Sequence, residues 1–414
     1  MSEILSIDDA VAQLAASIDA VQGIESLSIH DAANRVLAQN VVAPVSLPPF
    51  NSSAMDGYAL RSSECERIGS TFQVVGTSFA GQPYEGVSPP RAAVRIFTGA
   101  EVPYWTDAVV IQEDVDQDGE KIFLKQAASR GDNIRPVGLD VAKEELLLVR
   151  GTKLGAFEIS WLAACGVATV EVVRLIRVAL FSTGDELQDP GEPLTRGQIY
   201  DSNRTALKEL LRVKPVEIID LGRLPDDPDA IETAIHSASR NVDLVVTSGG
   251  VSVGDADFVR PVIEKLGELT FWNVALKPGK PIAVGKLDGT LFLGLPGNPV
   301  STIVTYLLFV AKSVDALSGV ALTEPLSIPA VLTEKLRHSK GRREYQRGIL
   351  SRAGDQLVVR PAGDQSSNRL STLAAANCLI VVPESVESIR AGEFVDVLLL
   401  PDEAHHLVHN AVRR

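Results

Sequence analysis

The sequence predicts a multidomain α/β plus β protein: a central doubly wound, mostly parallel sheet domain, a β-rich inserted domain and a C-terminal β-barrel. Three observations carry this. At 414 residues the chain exceeds the roughly 100 to 200 residues of one domain, so two to four folding units are expected. Apolar strands alternate with amphipathic helices between about residues 175 and 322. Short strand-like runs without helical periodicity fill residues 51–137 and return after Leu322.

Taken in order, Ser6 is placed to cap a first helix, with Asp8 and Asp9 in its opening turn and Val11, Leu14 and Ile18 on one apolar face. Residues 51–137 read as a β-rich insertion, with runs at Asp107 to Val115 and Lys121 to Gln126 about an Asp118-Gly119 turn. Residues 138–174 return to helix (Ala156 to Cys165) and strand (Ala168 to Val173), and with residues 1–50 form one interrupted domain. In residues 175–322, strands are expected at Arg177 to Phe181, Val216 to Leu221 and Leu244 to Thr247. Helices are expected at Ser202 to Leu211, Asp229 to Ser239 and Asp257 to Leu266. Residues 323–414 hold only strand-like runs, at Gln346 to Leu350, Gln356 to Arg360, Leu379 to Val382 and Phe394 to Leu400, for which a barrel is the simplest closure.

Composition narrows the function. A chain that is 45% hydrophobic and 22% charged can bury a core and is not compositionally disordered. A net charge of -14 argues against a general nucleic-acid binder, which needs a basic surface, so an anionic ligand must meet a local basic pocket. The longest apolar stretch, Ile303 to Ala311, is too short to span a bilayer, and the acidic N-terminus is unlike a secretory signal. No membrane association is expected, and a cytoplasmic location is. Cys65, Cys165 and Cys378 lie far apart, as reduced packing thiols would. The histidines, including His405, His406 and His409 near the end, have no metal-ligand spacing.

The chemistry is expected beyond the carboxyl ends of the parallel strands, where helix N-termini point free N–H groups at anions. The first strand runs into S-T-G-D-E-L, which places Asp185 and Glu186 at its end; a polar loop would look the same. The third ends in S-G-G-V-S-V-G-D-A-D, where Gly249, Gly250 and Gly254 permit close backbone approach to a phosphate and Ser248 and Ser252 add hydroxyls. Asp255 and Asp257 follow closely enough to hold Mg²⁺ against a diphosphate, or to cap a helix. Lys277 and Lys280 flank a Pro-Gly turn in A-L-K-P-G-K-P and are candidate oxyanion contacts. In L-P-G-N-P-V-S, Asn298 can cap the following helix with Pro299 at its first position. Weaker candidates are Asp56 in A-M-D-G-Y-A, Thr98 in R-I-F-T-G-A, and Arg135 and Asp140 in N-I-R-P-V-G-L-D. The segment G-R-R-E-Y-Q-R-G clusters Arg342, Arg343 and Arg347, whose forked donors suit oxyanions as well as a solvated surface. No credible nucleophile paired with its base is read from the sequence.

Together with D-A-V-V, these strings occur in the order found in the molybdopterin molybdenumtransferase family, the MoeA and gephyrin E-domain type, which the chain resembles over nearly its whole length. The resemblance implies a four-domain protomer acting as a homodimer with its clefts shared between subunits. It also implies Mg²⁺-dependent insertion of molybdate into adenylylated molybdopterin, with release of AMP and formation of molybdenum cofactor. Carried over by position, it assigns Asp56, Thr98, Asp140, Glu186, Asp226, Asp257, Lys277 and Lys280 to catalysis. Ser248, Gly249, Gly250, Ser252, Gly254, Asn298, Ser301, Arg342 and Ser371 are assigned to substrate binding, Arg342 and Ser371 as molybdate contacts, and Asp257 with Glu186 to the metal. Further partners would be molybdopterin adenylyltransferase and recipient molybdoenzymes. The chain departs from the family pattern at Asn51-Ser52, Tyr104-Trp105-Thr106, Asn273 and Arg369. Two alternatives stay open at this point: a molybdopterin adenylyltransferase, which would form adenylylated product from ATP, and a non-catalytic pterin-binding scaffold.

Overall fold

The structure, a computed structural model, describes residues 4–65, 67–251 and 258–401. The chain divides into two compact units. One comprises Met1–Glu25, Asn34–Ala38 and Val172–Arg414, and the other Ser26–Ala33 and Gln39–Glu171.

The larger unit opens on helix α1 (Ile7–Ser17), capped as its sequence predicts: the Ser6 hydroxyl accepts the Asp9 N–H at 3.1 Å. Ile7, Ala10 and Leu14 bury one face of α1 in the core of the α/β region. That region contains β1 (Ile176–Thr183), α2 (Ser202–Arg212), β2 (Val216–Leu224), α3 (Pro228–Ser239), β3 (Leu244–Ser248), α4 (Val259–Leu266), β4 (Glu268–Asn273), β5 (Pro281–Leu287) and β6 (Thr290–Leu295). The sheet order is β2-β1-β3-β6-β5-β4. Strands β2, β1, β3 and β6 run parallel, while β5 and β4 turn antiparallel at one edge. The mostly parallel sheet read from the sequence is therefore present. Its two faces are covered separately, one by α1, α2 and the helix after β6, the other by α3 and α4. Burial on both faces explains why β1 and β3 read as continuous apolar runs rather than alternating ones.

Helix α5 (Pro299–Leu317) follows β6 and is interrupted by one wider turn at Tyr306–Val310. Among the described residues it is the one helix long and apolar enough to cross a bilayer by length and composition, and most of it is buried. A core helix accounts for that apolarity.

The last part closes into a barrel of β7 (Ser327–Leu332), β8 (Arg343–Ala353), β9 (Gln356–Pro361), β10 (Cys378–Val382) and β11 (Phe394–Leu399), in the cyclic order β8-β9-β7-β11-β10. Closure rests on β8, whose first half pairs with β10 and second half with β9. Gly348 sits at the changeover, where a Cβ would lie 2.8 Å from both Cys378 Sγ and Ile380 Cγ1; a glycine lets the strand turn that corner. The expectation of strands alone after Leu322 misses α6 (Leu370–Ala375), a helix too short for its periodicity to show.

The smaller unit is built on a six-stranded sheet in the order Ala108–Ile111, Gly57–Leu60, Ala92–Ile96, Thr71–Ser78, Lys121–Leu124, Val115–Asp118. The hairpin at Gly119 is present, but its partners are Val115–Asp118 and Lys121–Leu124. The run expected at Asp107 to Val115 is broken by a helical turn at Gln112–Asp114, and its first part pairs with Gly57–Leu60 instead.

Candidate anion-binding cleft

A cleft of about 580 Å³ lies in the larger unit, at the carboxyl ends of β1, β3 and β6. One wall carries carboxylates. Glu186 lines it just after β1, and Asp226 lines it just after β2. The turns of Asp185 and Asp226 clasp each other, each backbone N–H donating to the other's carboxylate at 3.3 Å. Burial, and then the nearby Asp185 and Glu186 charges, raise the Asp226 carboxyl above the ordinary 3.8, as crowded like charges do.

The floor is the loop Ser248–Val251. Gly249 (φ 92°) and Gly250 (φ 69°) adopt left-handed backbone; a Cβ on Gly250 would lie 2.4 Å from Val259 Cγ2 and 2.8 Å from Thr183 Oγ1. Glycine is thus required both by conformation and by space. The Thr183 hydroxyl is buried, lines the cleft and has no hydrogen-bond partner among the described residues. Ser252, Gly254, Asp255 and Asp257 lie outside the described residues.

The opposite wall carries Lys277, Arg342, Glu344 and Gln365 to Ser367. The segment Leu276–Lys277 pairs in parallel with Arg343–Glu344 at the start of β8, which brings the lysine to the barrel's rim. Of the three clustered arginines, only Arg342 reaches the cleft. Arg343 is bonded bidentately to Asp8 at 2.8 Å and lies 3.1 Å from Glu384. Arg347 is 1% exposed and donates to the carbonyls of Asp364, Gln365 and Ser366 and to the Thr372 hydroxyl. The reading of Arg343 and Arg347 as oxyanion contacts is corrected accordingly, because both guanidinium forks are already committed to internal acceptors.

At the cleft's remaining side, Asn298 stands at the N-cap of α5 without a side-chain capping bond. Capping, which explained it adequately in the sequence, does not; the side chain lines the cleft with buried Ser301. Lys280 and Ser371 are exposed and are not part of the lining.

In the smaller unit, Asp56 Oδ1 accepts from both the N–H and the hydroxyl of Thr98, at 2.8 and 2.7 Å. First the backbone bond and then the hydroxyl hold the Asp56 carboxyl below its ordinary value. Asp140 is exposed, with its own N–H given to the Leu47 carbonyl at 2.9 Å. Arg135 is exposed on a short strand pairing with Ser52.

Sequence reasoning missed several contributors. Asn203, in the first turn of α2, donates to Ser248 Oγ and to the Gly297 carbonyl, both at 2.8 Å, and so ties two cleft loops together. Arg204 beside it gathers Asp189, Asp201 and Asp220. The signal available was the polar helix start Asp201-Ser202-Asn203-Arg204, where the Asp201 side chain accepts the Arg204 N–H. Glu344 and Gln365 carried no signal, because only closure of the barrel brings them to the cleft.

The two walls together are suited to an anionic ligand bound with a cation. Lysine, arginine and glycine-loop N–H groups can meet oxyanions; carboxylates without a cationic partner can meet a metal. Glu186 and Asp226 offer the hard oxygen donors that Mg²⁺ prefers. Among the described residues no three acidic, His or Cys groups form a metal cage, so such a cation would complete its shell with phosphate oxygens and water.

An open parallel sheet with a glycine-rich anion floor at its strand ends defines a ligand-binding α/β class. The chain matches three family descriptions in succession: the MoeA N-terminal region, domains I and II, over residues 5–166; a probable molybdopterin binding domain over 179–316; and the MoeA C-terminal region, domain IV, over 329–400. It is 41% identical to the molybdopterin molybdenumtransferase of Haemophilus influenzae, with 95% of this chain and 98% of that protein covered. It is 30% identical to gephyrin of Dictyostelium discoideum over 95% of this chain and 62% of that protein. A MoeA protein structure from Pyrococcus horikoshii superimposes with a TM-score of 0.84 at 27% identity, covering 96% of this chain and 100% of that one. The chain belongs to the MoeA family of molybdopterin molybdenumtransferases.

Proposed function

We propose that the protein is a molybdopterin molybdenumtransferase: it inserts molybdate into adenylylated molybdopterin with Mg²⁺, releases AMP and forms molybdenum cofactor. One observation carries this reading, the cleft at the ends of β1, β3 and β6 with carboxylates on one wall and Lys277 with Arg342 on the other. Family membership supports it. In this reading the Gly249-Gly250 backbone and the Thr183 hydroxyl hold the diphosphate. Lys277, Arg342, Asn298 and Ser301 orient oxyanions, and Glu186 and Asp226, with Asp257, hold the metal. When bound, Mg²⁺ neutralises diphosphate charge and makes its phosphorus more electrophilic. Release of AMP breaks the diphosphate bond by attack of water at phosphorus, which leaves one phosphate on AMP and one on the pterin, and the residues above would keep that bond and the incoming molybdate in register.

The reading extends to a cytoplasmic homodimer whose partner subunit completes each cleft with Asp56, Thr98 and Asp140, with Lys280 and Ser371 joining the site when it is occupied. The division into 1–50 with 138–174, 51–137, 175–322 and 323–414 is proposed as the set of functional domains, and molybdopterin adenylyltransferase and molybdoenzymes as partners. The test supplies purified protein with adenylylated molybdopterin, molybdate and Mg²⁺ and measures AMP and cofactor. Absence of AMP release sinks the reading.

A further inference from the structure

Lys277 does not stand free at the cleft. Its Nζ lies 3.0 Å from Glu344 Oε1, and Glu344 is 2% exposed although it carries a carboxylate. The other oxygen, Oε2, lies 2.7 Å from His338 Nδ1. The His338 side chain has no exposed surface, and its Nε2 is buried without a partner among the described residues. Because an ionised carboxylate can only accept, Nδ1 must carry the proton that it donates to Glu344. The chain of contacts therefore has one direction, from His338 through Glu344 to Lys277.

A buried carboxylate is expensive unless both oxygens are satisfied, and here they are, one by an imidazole N–H and one by an ammonium. Arg347, on the same strand as Glu344, contributes a further attractive charge, but its guanidinium is held by the 364–366 carbonyls and Thr372. The backbone pairing of Lys277 with Glu344 fixes the base of the lysine stem, and the carboxylate fixes its tip. A free lysine side chain otherwise carries rotamer entropy that binding must remove. Immobilised before the ligand arrives, it lines the cleft and can meet an oxyanion without that loss.

We infer that Glu344 and His338 are positioning residues for the proposed reaction: the His338 imidazole orients the buried Glu344 carboxylate, which holds Lys277 ready for an oxyanion in the cleft. This rests on the functional reading above, in which that oxyanion is molybdate or a substrate phosphate.

The test compares His338→Leu, which removes the donor, with His338→Asn, whose side-chain amide stands where Nδ1 does. Folding is checked by thermal melting, activity by AMP release across a molybdate titration, and the lysine by brief acetylation of the whole protein, with Lys277 read by peptide mass spectrometry. His338→Leu should raise the KM for molybdate about tenfold with kcat changed less than about threefold, and should accelerate Lys277 acetylation, as loss of an outer partner does elsewhere. His338→Asn should restore both to within about twofold of the parent. A folded His338→Leu protein with parental KM and parental acetylation overturns the proposal. If His338→Leu does not melt cooperatively, Glu344→Gln, of nearly equal volume, must speed Lys277 acetylation, and an unchanged rate overturns the proposal. If no variant nor the parent releases AMP while acetylation changes as expected, the positioning pair stands and the functional reading falls.

Discussion

The two walls of the cleft handle charge in opposite ways. On the β1 and β2 side, Asp185, Glu186 and Asp226 crowd together, and Asp226 is pushed up by burial and by its acidic neighbours. On the barrel side, Lys277 is already matched to Glu344, and two of three nearby arginines are matched to Asp8 with Glu384 or to backbone carbonyls. One wall stores repulsion that a cation would relieve, whereas the other stores order that a ligand would exploit. Local charge counts in the sequence do not reveal this difference, since both walls look simply polar.

The contrast can be broken most sharply at Glu186. Glu186→Ala should lower AMP release by about 10²-fold, the scale for removing a preorganised electrostatic group, while leaving the melting temperature within a few degrees; equal activity in a steady-state assay would remove the acidic wall from the mechanism. Behind the opposite wall, Arg347→Lys cannot serve the three carbonyls and the hydroxyl that its fork serves. It should destabilise by about 2–3 kcal/mol in urea titration and weaken substrate binding through the loop Gln365 to Ser367.

Smaller effects separate the walls by sign. Asp226→Asn should stabilise at pH 7 by about 0.5 kcal/mol or less, since the group is partly exposed and screened, yet should lower activity. A carboxyl raised in the folded state supports stability below its unfolded value and loses that support as pH rises, so this gain should vanish in melts at about pH 3. Asp8 has the reverse sign: the Arg343 hydrogen bond, partly offset by burial, holds it below 3.8. Its contribution is fully present above the unfolded value and is lost as pH falls through the lowered folded value. Asp8→Asn should therefore cost about 0–1 kcal/mol at pH 7 and nothing at pH 2. A cost that persists at pH 2 would show that the pair acts by packing rather than charge.

The sequence made some of this legible and concealed the rest for physical reasons. Strands β1 and β3 were readable because burial on both sheet faces imposes long apolar runs, and the helices because of their periodicity, whereas β2, at the sheet edge, is only half-buried. Glu186, Gly249, Gly250 and Lys277 were readable because they sit directly at strand ends, where chain order and spatial order coincide. Asn298 and Asn203 were obscured by one ambiguity, since a polar residue at a helix start caps or binds with equal plausibility until the hydrogen bonds are seen. The fates of Arg342, Arg343 and Arg347 were hidden because they depend on Asp8 and on the carbonyls of 364–366, partners distant in sequence. The exposed surface at Tyr104 and the cation–π contact of Arg61 over Trp105, 5.5 Å from its centroid, show where the unusual 104–106 stretch sits, but nothing in the structure explains that departure.

The short ladder between Leu276–Lys277 and Arg343–Glu344 has a consequence for modularity. A residue contributed by the α/β fold obtains its orientation from a strand of the barrel, so neither module carries the cationic wall alone. Cut free, the α/β part would keep its glycine floor and its acids but have a wandering lysine. The two parts are joined at this ladder as well as by Tyr345 and Leu379, which pack into the core of the α/β part.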